Sequence, residues 1–342
     1  MMKNYLEKLM NQESLSVKEM KEATKNCFED DITDTEISAF LTALHMKGET
    51  ANEIAGIVEV IRAQSDMSTI QIPNVMDNCG TGGDRSNSFN ISTTSAFVLA
   101  GAGVTVAKHG NRSISSKTGS ADVLEHLGVS LAFTKEHTEE MLEENNIAFL
   151  YAPHVHTNLR PFMKIRQELG LPTIFNLIGP LTNPIKLHSQ LMGVYQRDKL
   201  QTIAESLKKL GRKRAVVITG AGNMDEASLA GENHLVLLEN GEIRSFTLHP
   251  SEVGLPTYSN KMIQGGSAKE NAKILLRVLN NEASPHLDTI LLNSAIGLFA
   301  NGKTDSIKDG IEVAHESIAS GAALNRLNTL IKYSKSITSE AI

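Results

Sequence analysis

The sequence predicts an α/β fold in two unequal parts: a small helical unit, then a larger α/β unit around a mostly parallel central sheet. Three observations carry that prediction. The first 66 residues show only helical caps and helical periodicity. From Pro73 onward, short apolar runs alternate with glycine-rich turns and helical stretches. From Ser267 the chain reads as helix again. A length of 342 residues suits one large domain or two unequal ones, at roughly 100–200 residues per domain.

The N-terminal helices announce themselves by their starts. Ser16-x-x-Glu19, Thr33-x-x-Glu36 and Thr50-x-x-Glu53 are capping boxes, in which a hydroxyl and a carboxylate satisfy two orphan N–H groups reciprocally. Ile37, Phe40, Leu41 and Leu44 form one apolar helical face, and Ile54, Ile57, Val58 and Ile61 another. Beyond Pro73, the runs Val104–Val106, Ile147–Tyr151, Gln190–Val194 and Ala215–Thr219 read as strands. Each lies beside a helical stretch, the pattern of βαβ units. His234–Leu238 and Glu242–Phe246 flank Asn240-Gly241, which predicts a hairpin with a type I′ turn. Helices follow over Ala268–Asn280, Pro285–Ala300 and Ser306–Ser320, with a last one ending near Tyr333.

Composition excludes several classes of function. Lys and Arg total 33 against 39 Asp and Glu, a net charge of −6, which argues against a general basic surface for nucleic acid. Cys27 and Cys79 are too few for a disulfide framework or a cysteine-based zinc site. No apolar run approaches the ~18 residues of a membrane span, and Met1–Gln12 lacks the apolar stretch of a signal peptide. The expectation is a cytoplasmic protein with no membrane and no nucleic-acid partner. The chain also contains no Trp.

Four motifs carry chemistry. Gly80-Thr-Gly-Gly-Asp84 permits a tight turn and close approach of a ligand to the backbone, and successive N–H groups in such a turn cradle anions. Arg85 replaces the third glycine of a Rossmann fingerprint, and no Gly-Lys-[Ser/Thr] follows for a Walker A loop. Phe89-Asn-Ile-Ser-Thr-Thr-Ser95 leads into a small-residue helix for which Ser92 is a natural N-cap, and a helix N-terminus after a glycine loop attracts phosphate. Asn90, Ser92 and Thr93 add neutral donors. The stretch Ala107–Asp122 is expected as a loop following the strand at Val104–Val106. It places Lys108, Arg112 and Lys117 among the hydroxyls of Ser113, Ser115, Ser116 and Ser120, where ligands of open α/β sheets sit. Finally, Asp225-Glu226 follows the strand Ala215–Thr219 and the turn Gly220–Met224. Adjacent carboxylates there suit Mg²⁺ shared with a substrate phosphate. Weaker features are His154-Val-His156, Arg166 as a helical surface charge, and Pro180-Leu-Thr-Asn-Pro184 as a rigid turn. No Ser-His-Asp or Cys-His nucleophilic set can be assigned.

Together these motifs resemble the anthranilate phosphoribosyltransferase family, over essentially the whole chain. Gly80–Asp84 with Phe89–Thr93 is similar to the family's diphosphate loop. Lys108–Arg112 with Ser115-Ser116 and Gly119–Asp122 is similar to its second loop. Arg166–Gly170, Thr173–Asn176 and Gly179–Pro184 resemble a third block, and Asp225-Glu226 resembles the metal pair. Three positions depart: Pro172 stands where many members carry Arg, Ser88 where many carry Thr, and Arg85 where Gly is common.

The resemblance implies a fold of the nucleoside phosphorylase and phosphoribosyltransferase kind. Residues 1–70, joined by about 160–185, would form the helical domain, and 71–342 the larger domain that binds phosphoribosyl diphosphate. It implies a homodimer through the helical domains. It also implies transfer of phosphoribose from 5-phosphoribosyl 1-diphosphate to the amine of anthranilate, in tryptophan biosynthesis. By the same resemblance, Gly80, Gly83, Asp84, Ser88, Asn90, Ile91, Ser92, Thr93, Lys108, Ser116 and Ser120 would surround the sugar phosphate. Gly80, His109, Asn111, His156 and Arg166 would bind anthranilate, and Ser92, Asp225 and Glu226 would hold two Mg²⁺ per monomer. No residue is assigned as an acid or base. Two other readings fit a chain of this kind: a pyrimidine nucleoside phosphorylase-like enzyme, and a non-catalytic relative that binds nucleic acid. Asp225, Glu226 and Arg166 favour the transferase over the first, and the acidic balance disfavours the second.

Overall fold

The computed structural model describes residues 2–112 and 117–340. Four helices open the chain: α1 (Met2–Met10), α2 (Val17–Asn26), α3 (Asp34–Lys47) and α4 (Ala51–Ala63). The predicted capping boxes all close, Ser16, Thr33 and Thr50 each receiving the N–H of the glutamate three residues on and returning their own to its carboxylate. Glu53 does more than cap. Its Oε1 accepts the Leu15 N–H at 2.9 Å, and its Oε2 accepts Lys47 Nζ at 2.9 Å and the Thr50 N–H at 2.8 Å. The Lys47 and Glu53 side chains keep only 4% and 0% of their surface in solvent. The chain entering α2, the end of α3 and the start of α4 therefore meet on one buried carboxylate.

The sheet has seven strands: β1 (Met76–Gly80), β2 (Val106–Gly110), β3 (Ile147–Tyr151), β4 (Ser189–Gly193), β5 (Arg214–Thr219), β6 (Asn233–Glu239) and β7 (Glu242–Leu248). Their spatial order is β3-β2-β1-β4-β5-β6-β7. The first five run parallel, and the β6–β7 hairpin is antiparallel. Asn240 and Gly241 turn the hairpin at φ 51° and 82°, as a type I′ turn requires.

β1 is a strand the sequence did not predict. Met-Asp-Asn-Cys-Gly has no apolar run, yet it lies at the centre of the sheet because its polar groups are paired inside. Asp77 accepts the His109 N–H at 3.2 Å and Asn183 Nδ2 at 3.0 Å, and the Asn78 carbonyl accepts Lys108 Nζ at 2.7 Å. β2 also lies later than expected. Lys108 and His109 belong to the strand itself and are buried, not to a loop beyond it.

α5 (Ile91–Gly101) links β1 to β2. After α6 (Ser120–His126), α7 (Lys135–Asn145) and β3, the chain leaves the sheet through α8 (Ala152–Val155), α9 (Arg160–Leu169) and α10 (Phe175–Ile178). Phe162, Ile165 and Ile178 from this central excursion share one apolar cluster with Phe40, Leu44 and Ile57 of the opening helices. The chain then returns on the far side of β1 as β4, and α11 (Leu200–Lys209) leads to β5. Met192, Val217 and α11 belong to the cluster of the helical unit, whereas Leu191, Val216 and α5 face the opposite cluster. The winding thus reverses between β1 and β4, which opens a crevice at their carboxyl ends.

α12 (Ala268–Leu279), α13 (Pro285–Asn301), α14 (Ile307–Ala319) and α15 (Ala322–Glu340) complete the fold. α13 is buried on all faces from Thr289 to Ala300, which is why most of its residues there are apolar. α15 runs beyond the predicted end at Tyr333. No helix among the described residues is long and apolar enough to cross a membrane.

Candidate functional site

The crevice is shaped first by missing side chains. Gly80 closes β1, Gly193 closes β4, and Gly220 follows β5. A Cβ at Gly80 would overlap Asp225 Oδ2, one at Gly193 the Asp225 carbonyl oxygen, and one at Gly220 the Glu226 carbonyl oxygen. Three hydrogen-only positions therefore let the Asp225-Glu226 segment lie across the strand ends. Sequence reasoning placed Gly80 here and missed Gly193 and Gly220. The available signal was a glycine closing each apolar run.

Asp225 and Glu226 meet the first two motifs. The Gly82 N–H donates to Asp225 Oδ2 at 2.6 Å, the Ser92 N–H to Glu226 Oε1 at 3.2 Å, and the Asp225 N–H to Asp84 Oδ2 at 3.4 Å. Gly82 and Gly83 adopt φ of 69° and 86°, where only glycine is unstrained. Arg85, at φ 57°, holds a left-handed backbone without that freedom. Ser92 is not the N-cap. α5 begins at Ile91, and Asn90 occupies the cap position without a side-chain cap bond. Asn90 is engaged elsewhere, its oxygen accepting Asn271 Nδ2 at 2.8 Å. The Ser92 N–H goes to a carboxylate instead, a charge-assisted bond that outranks a neutral one.

Burial, then the Asp84 charge, raises the Asp225 pKa. Burial, then the Asp225 charge, raises that of Glu226, with Lys108 opposing. Inside the site, three carboxylates thus face one buried ammonium.

The remaining predicted contacts are distributed around this centre. Ile91 is buried, and buried Thr93 Oγ1 has no hydrogen-bond partner. Ser88 forms a backbone bridge to Gln264. Ser120 Oγ donates to the Asn111 carbonyl at 3.2 Å at the start of α6. Arg112, expected as a free positive charge, is instead paired with Asp122 and Glu125, each at 2.9 Å. Ser116, like Ser113 and Ser115, lies outside the described residues.

Behind the carboxylates, the His109 and His156 rings stand edge to face, 5.4 Å apart. Each ring lies beside a backbone carbonyl, His109 beside that of Gly179 and His156 beside that of Thr182. Both Nε2 atoms are buried without a partner. Burial, and for His109 then the neighbouring His156 and Lys108, lowers both pKa values, that of His156 to about 4. His154 is exposed and does not join His156 as a ligand. Arg166 is half-buried, its guanidinium 5.2 Å from the Phe175 ring centre and against Met163 Sδ at 3.3 Å. Among the described residues no carboxylate pairs with it and no hydrogen bond ties it to the other predicted contacts.

The imidazole pair makes stability pH-dependent. An unfolded histidine titrates near about 6.5, so below that pH the unfolded chain binds a proton that buried His156 refuses. The stability loss therefore grows as pH falls from about 6.5 towards about 4. His156→Gln is expected to flatten the urea midpoint across this window. An unchanged slope would show that His156 does not stay neutral in the folded chain.

The donor set fits Mg²⁺. No three His, Cys, Asp or Glu side chains form a ready cage among the described residues. Mg²⁺, however, is commonly held by one or two carboxylates with water and substrate phosphate completing its shell. Asp225 and Glu226 provide the carboxylates, Ser92 a hydroxyl within the same loop cluster, and their crowded negative charge is what a divalent cation relieves.

A parallel-sheet crevice with a glycine loop and crowded carboxylates, backed by a helical unit, suits an enzyme that handles a phosphate-bearing substrate with a divalent cation, and the family matches place the chain in the glycosyl transferase class. Residues 72–324 match the glycosyl transferase family α/β domain, and residues 3–65 its helical bundle domain. The anthranilate phosphoribosyltransferase of Oceanobacillus iheyensis is 59% identical over 337 residues, covering 98% of this chain and 99% of that protein. That of Listeria welshimeri is 55% identical over 336 residues, with coverage of 98% and 99%. The Thermus thermophilus enzyme superimposes with a TM-score of 0.91 at 37% identity, covering 96% of this chain and 99% of that one. The Saccharomyces cerevisiae enzyme in complex with PRPP and Mg gives 0.89 at 29% identity, covering 98% of each chain. The chain belongs to the anthranilate phosphoribosyltransferase family.

Proposed function

We propose that this chain transfers the phosphoribosyl group of 5-phosphoribosyl 1-diphosphate to the amine of anthranilate, giving N-(5-phosphoribosyl)anthranilate and diphosphate, in tryptophan biosynthesis. The observation that carries the reading is the convergence of Asp84 and Asp225 on the glycine loop, with Glu226 on the start of α5, at the carboxyl ends of the parallel strands. The Saccharomyces cerevisiae enzyme, solved in complex with PRPP and Mg and in complex with 4-fluoroanthranilate, supports both substrates, the second through a fluorinated analogue.

The residues divide the task. Gly80 and Gly83 let the diphosphate approach the backbone. Asp84, Ser88, Asn90, Ile91, Ser92, Thr93, Lys108, Ser116 and Ser120 surround the sugar phosphate. Two Mg²⁺ per monomer, held by Ser92, Asp225 and Glu226, would neutralise the leaving diphosphate. As C1 of the ribose loses its leaving group and gains positive charge, the chain must hold the amine in line. His109, Asn111, His156 and Gly80 line that acceptor side, and the Arg166 fork takes the anthranilate carboxylate. An aromatic amine is neutral at pH 7 and attacks C1 through its lone pair as the C1–O bond to diphosphate breaks; the proton it then sheds goes to the departing diphosphate or to water, and no dedicated base is assigned. The helical domain is assigned residues 1–70 with about 160–185, and the larger domain the rest of 71–342. The working form is a cytoplasmic homodimer joined through the helical domains.

Loss of anthranilate fluorescence on mixing with phosphoribosyl diphosphate and Mg²⁺ tests the reading. No turnover, alongside phosphate-dependent cleavage of uridine or thymidine, would overturn it. Arg166→Ala is expected to raise the anthranilate KM about 10- to 150-fold, because a charge-assisted pair is worth roughly 1.5–3 kcal/mol. The KM for the sugar phosphate is expected to stay nearly unchanged. Equal changes in both would remove Arg166 from the carboxylate role.

A further inference from the structure

The stretch Gly179–Asn183, read from sequence as part of a rigid turn, is a short helical strap held from every side. Gln190 Nε2 donates to the Pro180 carbonyl at 2.7 Å, and buried Arg212 Nε in turn donates to Gln190 Oε1 at 3.1 Å. Asn183 Nδ2 bridges Asp77 Oδ2 at 3.0 Å and the Ala107 carbonyl at 2.8 Å. The strap also borders the two imidazoles: Asp77, which accepts Asn183, accepts the His109 N–H at 3.2 Å as well, the His156 ring stands 5.4 Å from that of His109, and the Gly179 and Thr182 carbonyls lie beside the two rings. It therefore forms one wall against both rings.

One contact reaches the strap from the helical unit. Arg62, in the last turn of α4, donates to the Leu181 carbonyl from Nε at 2.8 Å and also from Nη2. Its neighbour Glu59 is paired with Lys21, and no carboxylate makes an ion pair with Arg62 among the described residues. A guanidinium directed with two donors at a single backbone oxygen fixes that oxygen's place more tightly than a neutral donor would.

We propose that Arg62 is a positioning residue for the acceptor half of the site, acting through the Leu181 carbonyl on the strap that packs against the His109 and His156 rings. The inference rests on the reading of those imidazoles as lining the anthranilate pocket. It goes beyond that reading by assigning control of the pocket to a residue of α4 whose guanidinium is spent on the Leu181 carbonyl. Asp77 and Asn183 anchor the opposite side of the strap, so loss of Arg62 lets one edge move while the sheet stays in place.

The test is steady-state kinetics of Arg62→Ala and Arg62→Lys in the full chain, varying each substrate in turn. Arg62→Ala is expected to raise the anthranilate KM at least tenfold, with the KM for phosphoribosyl diphosphate within twofold of the unsubstituted protein. Arg62→Lys, which keeps the charge and one donor, is expected to fall between. Millimolar guanidinium is expected to restore part of the anthranilate affinity of Arg62→Ala and to leave the unsubstituted protein unchanged. Parallel changes in both KM values, or none, would overturn the proposal. If Arg62→Ala does not fold, the same split in Arg62→Lys decides the matter. Absence of anthranilate transfer by the unsubstituted protein would instead overturn the functional reading on which the proposal stands.

Discussion

Joint replacement of Asp225 by Asn and Glu226 by Gln is expected to lower Mg²⁺-dependent turnover by roughly three orders of magnitude or more, equivalent to about 4 kcal/mol of barrier. The substitutions keep shape and most hydrogen-bonding capacity while removing two negative charges. The Gly82 and Ser92 N–H groups that meet these side chains still find a carbonyl oxygen. The loop geometry is therefore expected to persist. What disappears is the charge that draws a divalent cation to the leaving diphosphate. Stability should move the other way, because Asp225, Glu226 and Asp84 crowd like charge into one enclosed place. The double variant is expected to unfold at the same urea concentration as the parent or a higher one. Initial rates across a Mg²⁺ titration, with urea unfolding of the same preparations, measure both. Unchanged activity would show that the metal pair is misplaced, and a large fall in the urea midpoint would reduce the lost activity to lost fold.

Glu53→Ala is expected to cost about 3–5 kcal/mol of folding free energy, far from the crevice. A solvated capping box is worth only about 1 kcal/mol. The difference lies in burial: removing this carboxylate leaves the Lys47 ammonium and the Leu15 and Thr50 N–H groups enclosed without their acceptor. Lys47→Met combined with Glu53→Gln is expected to recover part of the loss, since the unpaired charge goes with the lysine. Urea unfolding at fixed protein concentration measures this, the slope staying constant while the midpoint moves. A loss below about 1 kcal/mol for Glu53→Ala would reduce this carboxylate to an ordinary cap.

Glu53 also shows what could be read from the chain and what could not. Its helix start was legible because Thr50-x-x-Glu53 is a local signal, and so was the Asn240-Gly241 turn. β1 was illegible because its identity as a strand depends on partners far away in sequence: Asn183 and His109 satisfy Asp77. Ser92 was assigned as a cap on local grounds, and a carboxylate 134 residues distant took its N–H. The glycine loop and the acidic pair were visible as motifs. Their meeting over Gly193 and Gly220 was not, since a glycine's reason for being there is the segment that crosses it. The return of residues 160–185 to the opening helices came only from family resemblance, for nothing in Phe162 or Ile178 says which cluster they will join.

The sheet serves two interiors at once. Alternate residues of β4 and β5 point to opposite sides, Met192 and Val217 towards the opening helices, Leu191 and Val216 towards α5 and its neighbours. Neither part of the molecule closes off its own oil from water. A clone lacking the opening helices would expose the back of its own central strands, and a sticky, chaperone-bound product is the natural fate of such a fragment. The two parts are therefore expected to melt as one cooperative body, and a cut at the sequence boundary between them is expected to cost both their fold.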